Sequence, residues 1–165
     1  MNFLKNIYNW TLQKAEHKNA KWYLSLISFA ESSFFPIPPD ILLIPMALAS
    51  KARALFYASI CTLFSVLGGI LGYAIGYFFY NSLGIYIVEF YQLENSFSIF
   101  ENYYREFGIL IILGAGITPF PYKFITIASG VFGLNIFLFI IISSIGRGLR
   151  FYLIAILLFF FGDKI

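Results

Sequence analysis

The stretch from Glu31 to Asp40, ESSFFPIPPD, places two carboxylates and three prolines inside an otherwise apolar segment. An ordinary membrane-spanning helix tolerates neither. Proline removes a backbone donor and clashes with the preceding turn, and a carboxylate at bilayer depth costs roughly 2.5–3.5 kcal/mol on the most lenient insertion scale. A helix broken at the prolines and lining a polar cavity accommodates both. The same punctuation returns further along the chain. Pro36-Ile37-Pro38-Pro39-Asp40 aligns with Pro119-Phe120-Pro121-Tyr122-Lys123, a Pro-x-Pro-x-charge pattern with the sign reversed. Paired Pro-interrupted apolar segments in two halves of a chain mark an inverted-repeat transporter whose site lies at the membrane midplane. Pro36, Pro38, Pro39, Pro119 and Pro121 are the expected tips.

Composition supports a bilayer environment. Hydrophobic residues make up 60% of the chain, aromatics 21% and charged residues only 12%, against about 25% charged in soluble domains. At 165 residues the chain is one membrane domain, with no room for a soluble catalytic domain beside its spans. The single Cys61 and single His17 exclude a disulfide framework and a Cys/His metal cluster. No Ser-His or metal-ligand arrangement can be assembled in the apolar core, so we expect no enzyme, cofactor or metal. Cys61 reads as a small packing residue, and His17, among Lys14, Lys18 and Lys21, as part of a solvated face. The net charge of +3 concerns membrane orientation rather than a nucleic-acid partner.

In chain order, residues 1–21 are amphipathic. Phe3, Leu4, Ile7, Tyr8, Leu12 and Ala15 recur at helical spacing, with lysines mostly elsewhere around the wheel, which predicts an interfacial helix. Residues 22–50 contain Glu31 and Asp40 and are followed by Lys51 and Arg53. Had this segment crossed the membrane, basic residues would flank it on both sides, which the positive-inside tendency disfavours. A re-entrant hairpin removes the conflict; a four-span arrangement with Lys51 and Arg53 outside is the competing topology. Residues 54–88 carry no charge and form the first expected span, with Gly68, Gly72 and Gly76 as a small-residue stripe for close helix approach. Residues 89–106, with four acids against Arg105, are expected as an outside amphipathic linker. Residues 107–132 are the second re-entrant hairpin, and 134–162 the second span. Both termini would then be cytoplasmic.

Arg147 and Arg150 lie three residues apart on one face of that last span, too far from either end to snorkel. They need partners. The set Glu31, Asp40, Lys123, Arg147 and Arg150 carries one excess positive charge. An ion-pair network would absorb two of the three bases; an anionic ligand fits the excess.

Glu31-Ser-Ser-Phe-Phe-Pro-Ile-Pro-Pro-Asp40, Gly68-Gly-Ile-Leu-Gly-Tyr-Ala-Ile-Gly76, Thr118-Pro-Phe-Pro-Tyr-Lys123 and Gly146-Arg-Gly-Leu-Arg150 together resemble the YqaA branch of the DedA (VTT, SNARE-associated) membrane protein family, over nearly the whole chain. The resemblance implies an all-α, multi-pass protein of the bacterial inner membrane with two opposed re-entrant hairpins, two spanning helices and interfacial helices. It also implies translocation of polyprenyl-phosphate lipids or scrambling of phospholipids, with proton coupling through embedded carboxylates in some relatives. Glu31 and Asp40 match the acidic pair of the first hairpin, and Lys123 approximates the basic residue of the second. Members of the family place an arginine just before the second hairpin's proline. This chain has Thr118 there, and Arg147 and Arg150 are the candidates to supply the charge. The expected function is transport of an anionic lipid headgroup or another small anion. An ion-coupled transporter of a soluble solute and a non-transporting scaffold, oligomerising through its small-residue stripe, are the alternatives.

Overall fold

The computed structural model describes residues 19–35 and 37–161. The expected interfacial helix over 1–21, apart from its last residues, and the Pro36 tip lie outside the described residues. Every regular element among those described is helical: α1 (Ala20–Ser33), α2 (Asp40–Ala49), α3 (Ala54–Phe79), α4 (Glu94–Ile117), α5 (Tyr122–Val131) and α6 (Ile136–Phe161). A 3-10 turn, Lys51–Arg53, leads into α3, and a π turn, Tyr80–Gly84, prolongs α3 into a short helix, Ile85–Phe90.

The prolines break the helices where expected. At the end of α1 the amides of Phe34 and Phe35 both fold back onto the Ala30 carbonyl, at 2.9 and 2.8 Å. Pro38 and Pro39 have no amide with which to continue the ladder, and Pro39, already in the helical region at φ −66°, sets the start of α2. Asp40 occupies the first turn of α2, where a carboxylate complements the helix dipole. Pro45 lies inside α2, which therefore lacks the bond from that position to Ile41. At the end of α4, the amide and hydroxyl of Thr118 both donate to the Gly114 carbonyl, at 3.0 and 2.8 Å. Thr118 itself is extended, as sterics require of a residue before proline. Gly133, at φ +61°, ends the α5 segment, with Gly133 donating to the Gly130 carbonyl and Leu134 to that of Ser129. Asn135 then caps α6 through its Oδ1, which accepts from Phe137 and Leu138.

The Lys51–Phe90 helix and α6 are the two that are long and apolar enough to cross a membrane, at 40 and 26 residues. Their outward faces carry large apolar side chains such as Phe56, Leu63, Ile141 and Phe160. The glycine stripe of α3 is used within the chain. A Cβ on Gly68 would lie 2.0 Å from the Phe29 carbonyl of α1, and one on Gly76 would lie 2.0 Å from the Ile127 carbonyl of α5. Between them, Gly72 faces both Thr126 and the Ser32 carbonyl. Accordingly α1 runs along the first half of α3 and α5 along the second, each at backbone contact.

Two apolar clusters flank the breaks. One joins Ala20 and Leu24 of α1, Leu43 and Met46 of α2, Ala54 and Ala58 of α3, and Phe151 and Leu158 of α6. The other joins Ile112 of α4, Tyr122 of α5 and Phe139 of α6. Each broken pair thus has its free ends toward one end of the α3/α6 pair and its proline break near mid-length, where the two breaks meet.

One expected boundary differs. The linker 89–106 and the first arm of the segment 107–132 are not separate pieces, since α4 runs unbroken from Glu94 to Ile117. The helical spacing of Phe97, Phe100, Tyr104 and Phe107 continues into the buried Gly108, Ile112 and Ala115. The acidic balance of the first half is a change of composition, not of conformation.

Candidate functional site

The site is built where the two breaks meet α6. Glu31 sits in the last turn of α1, Asp40 in the first turn of α2, Lys123 in the first turn of α5, and Arg147 and Arg150 one turn apart at mid-length of α6. Arg147 is 1% exposed. Its Nη2 donates to Glu31 Oε2, to Ser32 Oγ at 3.3 Å and to Ser65 Oγ at 3.1 Å. The guanidinium also lies against the rings of Tyr122 and Phe151, 4.8 and 4.9 Å from their centroids. Ser32 in turn donates to Glu31 Oε2 at 3.2 Å, and Tyr122 is fixed by its hydroxyl donating to Ser143 Oγ at 2.5 Å. Taking two charges out of water is costly, and pairing, added hydrogen bonds and ring faces offset that cost here.

Arg150 spans the junction. Its Nη2 donates to Asp40 Oδ2 and its Nη1 to the Thr118 carbonyl, so one guanidinium touches both breaks. The Nε atoms of both arginines and Asp40 Oδ1 are buried without a hydrogen-bond partner among the described residues. Thr126 adds a direct link between the pairs, its hydroxyl lying 2.9 Å from the carbonyls of both Ser32 and Lys123.

A cavity of about 220 Å³ opens between the breaks. Glu31, Lys123, Arg147 and Arg150 form its polar wall; Pro38, Pro39, Pro119 and Pro121, with Phe35, Phe120 and Phe124, form the apolar one. Asp40 stands behind Arg150 rather than on the wall. All five charged residues singled out from the sequence therefore meet at one place, as do four of the five tip prolines; Pro36 lies outside the described residues. Lys123 differs from the other bases. Its ammonium lies 5.5 Å from the Phe124 ring, and no carboxylate pairs with it among the described residues.

Sequence reasoning missed Ser32, Ser65, Tyr122, Phe151 and Thr126. Phe151 could have been found from its i+4 spacing to Arg147, and Ser32 from its place beside Glu31. Ser65 and Thr126 carry no such signal, because hydroxyls are frequent in apolar helices and only the packing shows which one faces a charge.

No family model and no solved structure matches the chain. Among similar proteins, one from Haemophilus influenzae described as an uncharacterized protein is 35% identical over 164 residues, covering 99% of this chain and 85% of that one. Another, from Histophilus somni and described as "Uncharacterized protein HI0703 homolog", is 34% identical over 165 residues, again covering 99% and 85%. Alignment over this span includes both breaks, the glycine stripe and α6. The chain belongs to the family of these two proteins.

Proposed function

We propose that the chain is a multi-pass membrane transporter of the DedA type, moving an anionic lipid headgroup such as a polyprenyl phosphate, or another small anion, between the tips of two opposed re-entrant hairpins. In this reading α1–α2 and α4–α5 are the hairpins, α3 and α6 the spans, both termini are cytoplasmic, and the protein resides in a bacterial inner membrane. Glu31 and Asp40 are the groups through which protons would couple. One observation carries the proposal: Glu31 and Asp40 each take one arginine, which leaves Lys123 on the cavity wall with no carboxylate paired to it among the described residues. A charge at bilayer depth marks a substrate or ion path by default, and arginine donors match phosphate oxygens. Arg150 donates to the carbonyl of Thr118, the residue at which the resemblance expects an arginine ahead of Pro119, and this supports its assignment as the replacement charge.

One-to-one pairing of acids and arginines also favours a second reading, in which the arginines are only counter-ions and an ion-coupled transporter moves a soluble solute. The scaffold alternative would have to use a surface other than the glycine stripe, which is covered by α1 and α5.

The test is reconstitution into liposomes with fluorescent anionic and zwitterionic lipids, with accessibility to an external quencher as readout. Wild-type protein should move the anionic probe, Lys123→Ala should lose at least about tenfold in rate, and Lys123→Arg should retain most of it. Unchanged transport by Lys123→Ala at matched incorporation would remove the anion site.

A further inference from the structure

Arg147 and Arg150 stand one turn apart, yet their surroundings differ in kind. Arg147 is held by three acceptors and two rings: Glu31, Ser32 and Ser65 take its Nη2, and Tyr122 and Phe151 lie against the guanidinium, although its Nε, like that of Arg150, has no hydrogen-bond partner among the described residues. Moving it would vacate a place between two rings and strand Glu31 in the interior. Arg150 has no ring against it among the described residues. Its side chain is 12% exposed, against 2% for that of Arg147, and its acceptors belong to two separate elements, the start of α2 and the end of α4. A guanidinium can grip one carboxylate with two parallel bonds; Arg150 instead holds a single oxygen of Asp40 and a single backbone carbonyl. Asp40 Oδ1 and Arg150 Nε have no hydrogen-bond partner among the described residues. Arg150 shares the cavity wall with Lys123, and its Nη1 and Nη2 are the donors of a fork that matches two oxygens of one phosphate group.

We propose that Asp40 is a resident competitor for the anion. A phosphate group drawn in by Lys123 takes the fork of Arg150, Asp40 and the Thr118 carbonyl release it, and the junction between the two breaks loosens. Glu31 does not compete, because Arg147 stays on it. The proposal rests on the reading that the cavity takes an anion. Linkage then fixes a sign contrary to that of an ordinary binding residue: removing the charge of Asp40 strengthens anion binding.

The experiment uses the full chain, purified in detergent and titrated calorimetrically with inorganic phosphate and, separately, with dihexanoyl phosphatidate. Asp40→Asn and Asp40→Ala should each bind roughly fivefold tighter or better than wild type. Glu31→Gln should show no gain, and Lys123→Ala and Arg150→Ala should bind more weakly. Either probe following this pattern supports the competition, and the tighter of the two identifies the source as free phosphate or lipid. Wild-type binding with no gain in both Asp40 variants would overturn the competition while leaving the anion site standing. An equal gain in Glu31→Gln would also overturn it, because the effect would then be one of net charge. No binding of either probe to the wild type would overturn the anion reading itself.

Discussion

Glu31 and Arg147 form a pair whose members are worth little separately. Breaking a buried ion pair by removing one partner typically costs ~3–5 kcal/mol, because the other charge is left without compensation, whereas replacing both is often neutral. Arg147→Met should therefore lower the unfolding midpoint in detergent sharply, and Arg147→Met with Glu31→Gln should regain most of the loss. A double variant as unstable as the single one would mean that the rings of Tyr122 and Phe151 hold the guanidinium more than Glu31 does. The five charges were legible in the sequence because ionised residues are rare in segments this apolar. Their pairing was not, since whether Glu31 meets Arg147 or Arg150 depends on how α1 and α6 are rotated about their axes. That rotation is set by packing of ordinary residues such as Leu24 and Phe151.

Elements in this fold are positioned by what their glycines allow. On Gly76 an added methyl would lie 2.0 Å from the Ile127 carbonyl, a backbone atom that moves only if α5 moves. Gly114 has nothing within 4 Å of such a methyl. Gly76→Ala should consequently yield little folded protein, while Gly114→Ala should fold normally and gain roughly 0.5–1 kcal/mol from reduced backbone freedom. Thermal unfolding of the two purified variants checks this, and a Gly76→Ala protein as stable as wild type would contradict the backbone contact. Both proline breaks were visible from sequence because proline acts locally and without a partner. The continuity of α4 was obscured by its change of composition at mid-length. The π turn at Tyr80–Gly84 left no trace in the spacing of apolar residues, which there point in all directions.

For the whole molecule, the decisive geometry is that Ser50 and Asn95 lie at opposite ends of the α3 helix and its extension. In a Cys61→Ala background, Ser50→Cys should react with a membrane-impermeant thiol reagent from the cytoplasmic side and Asn95→Cys from the other. Labelling of Ser50→Cys from outside would refute the re-entrant placement of the first pair. Resistance to deformation is also uneven across the molecule. Helices α1 and α5 lie on α3 at backbone contact, where no side chain can yield. By contrast α2 is ten residues long, buries only Leu42, Leu43, Met46 and Ala47, and has a rung missing at Pro45. Local opening is cheapest where a short ladder is incomplete and few apolar contacts hold it. The element that bears Asp40 is thus a softer spring than α1 or α5, and its stiffness bears directly on how firmly Asp40 is held against Arg150.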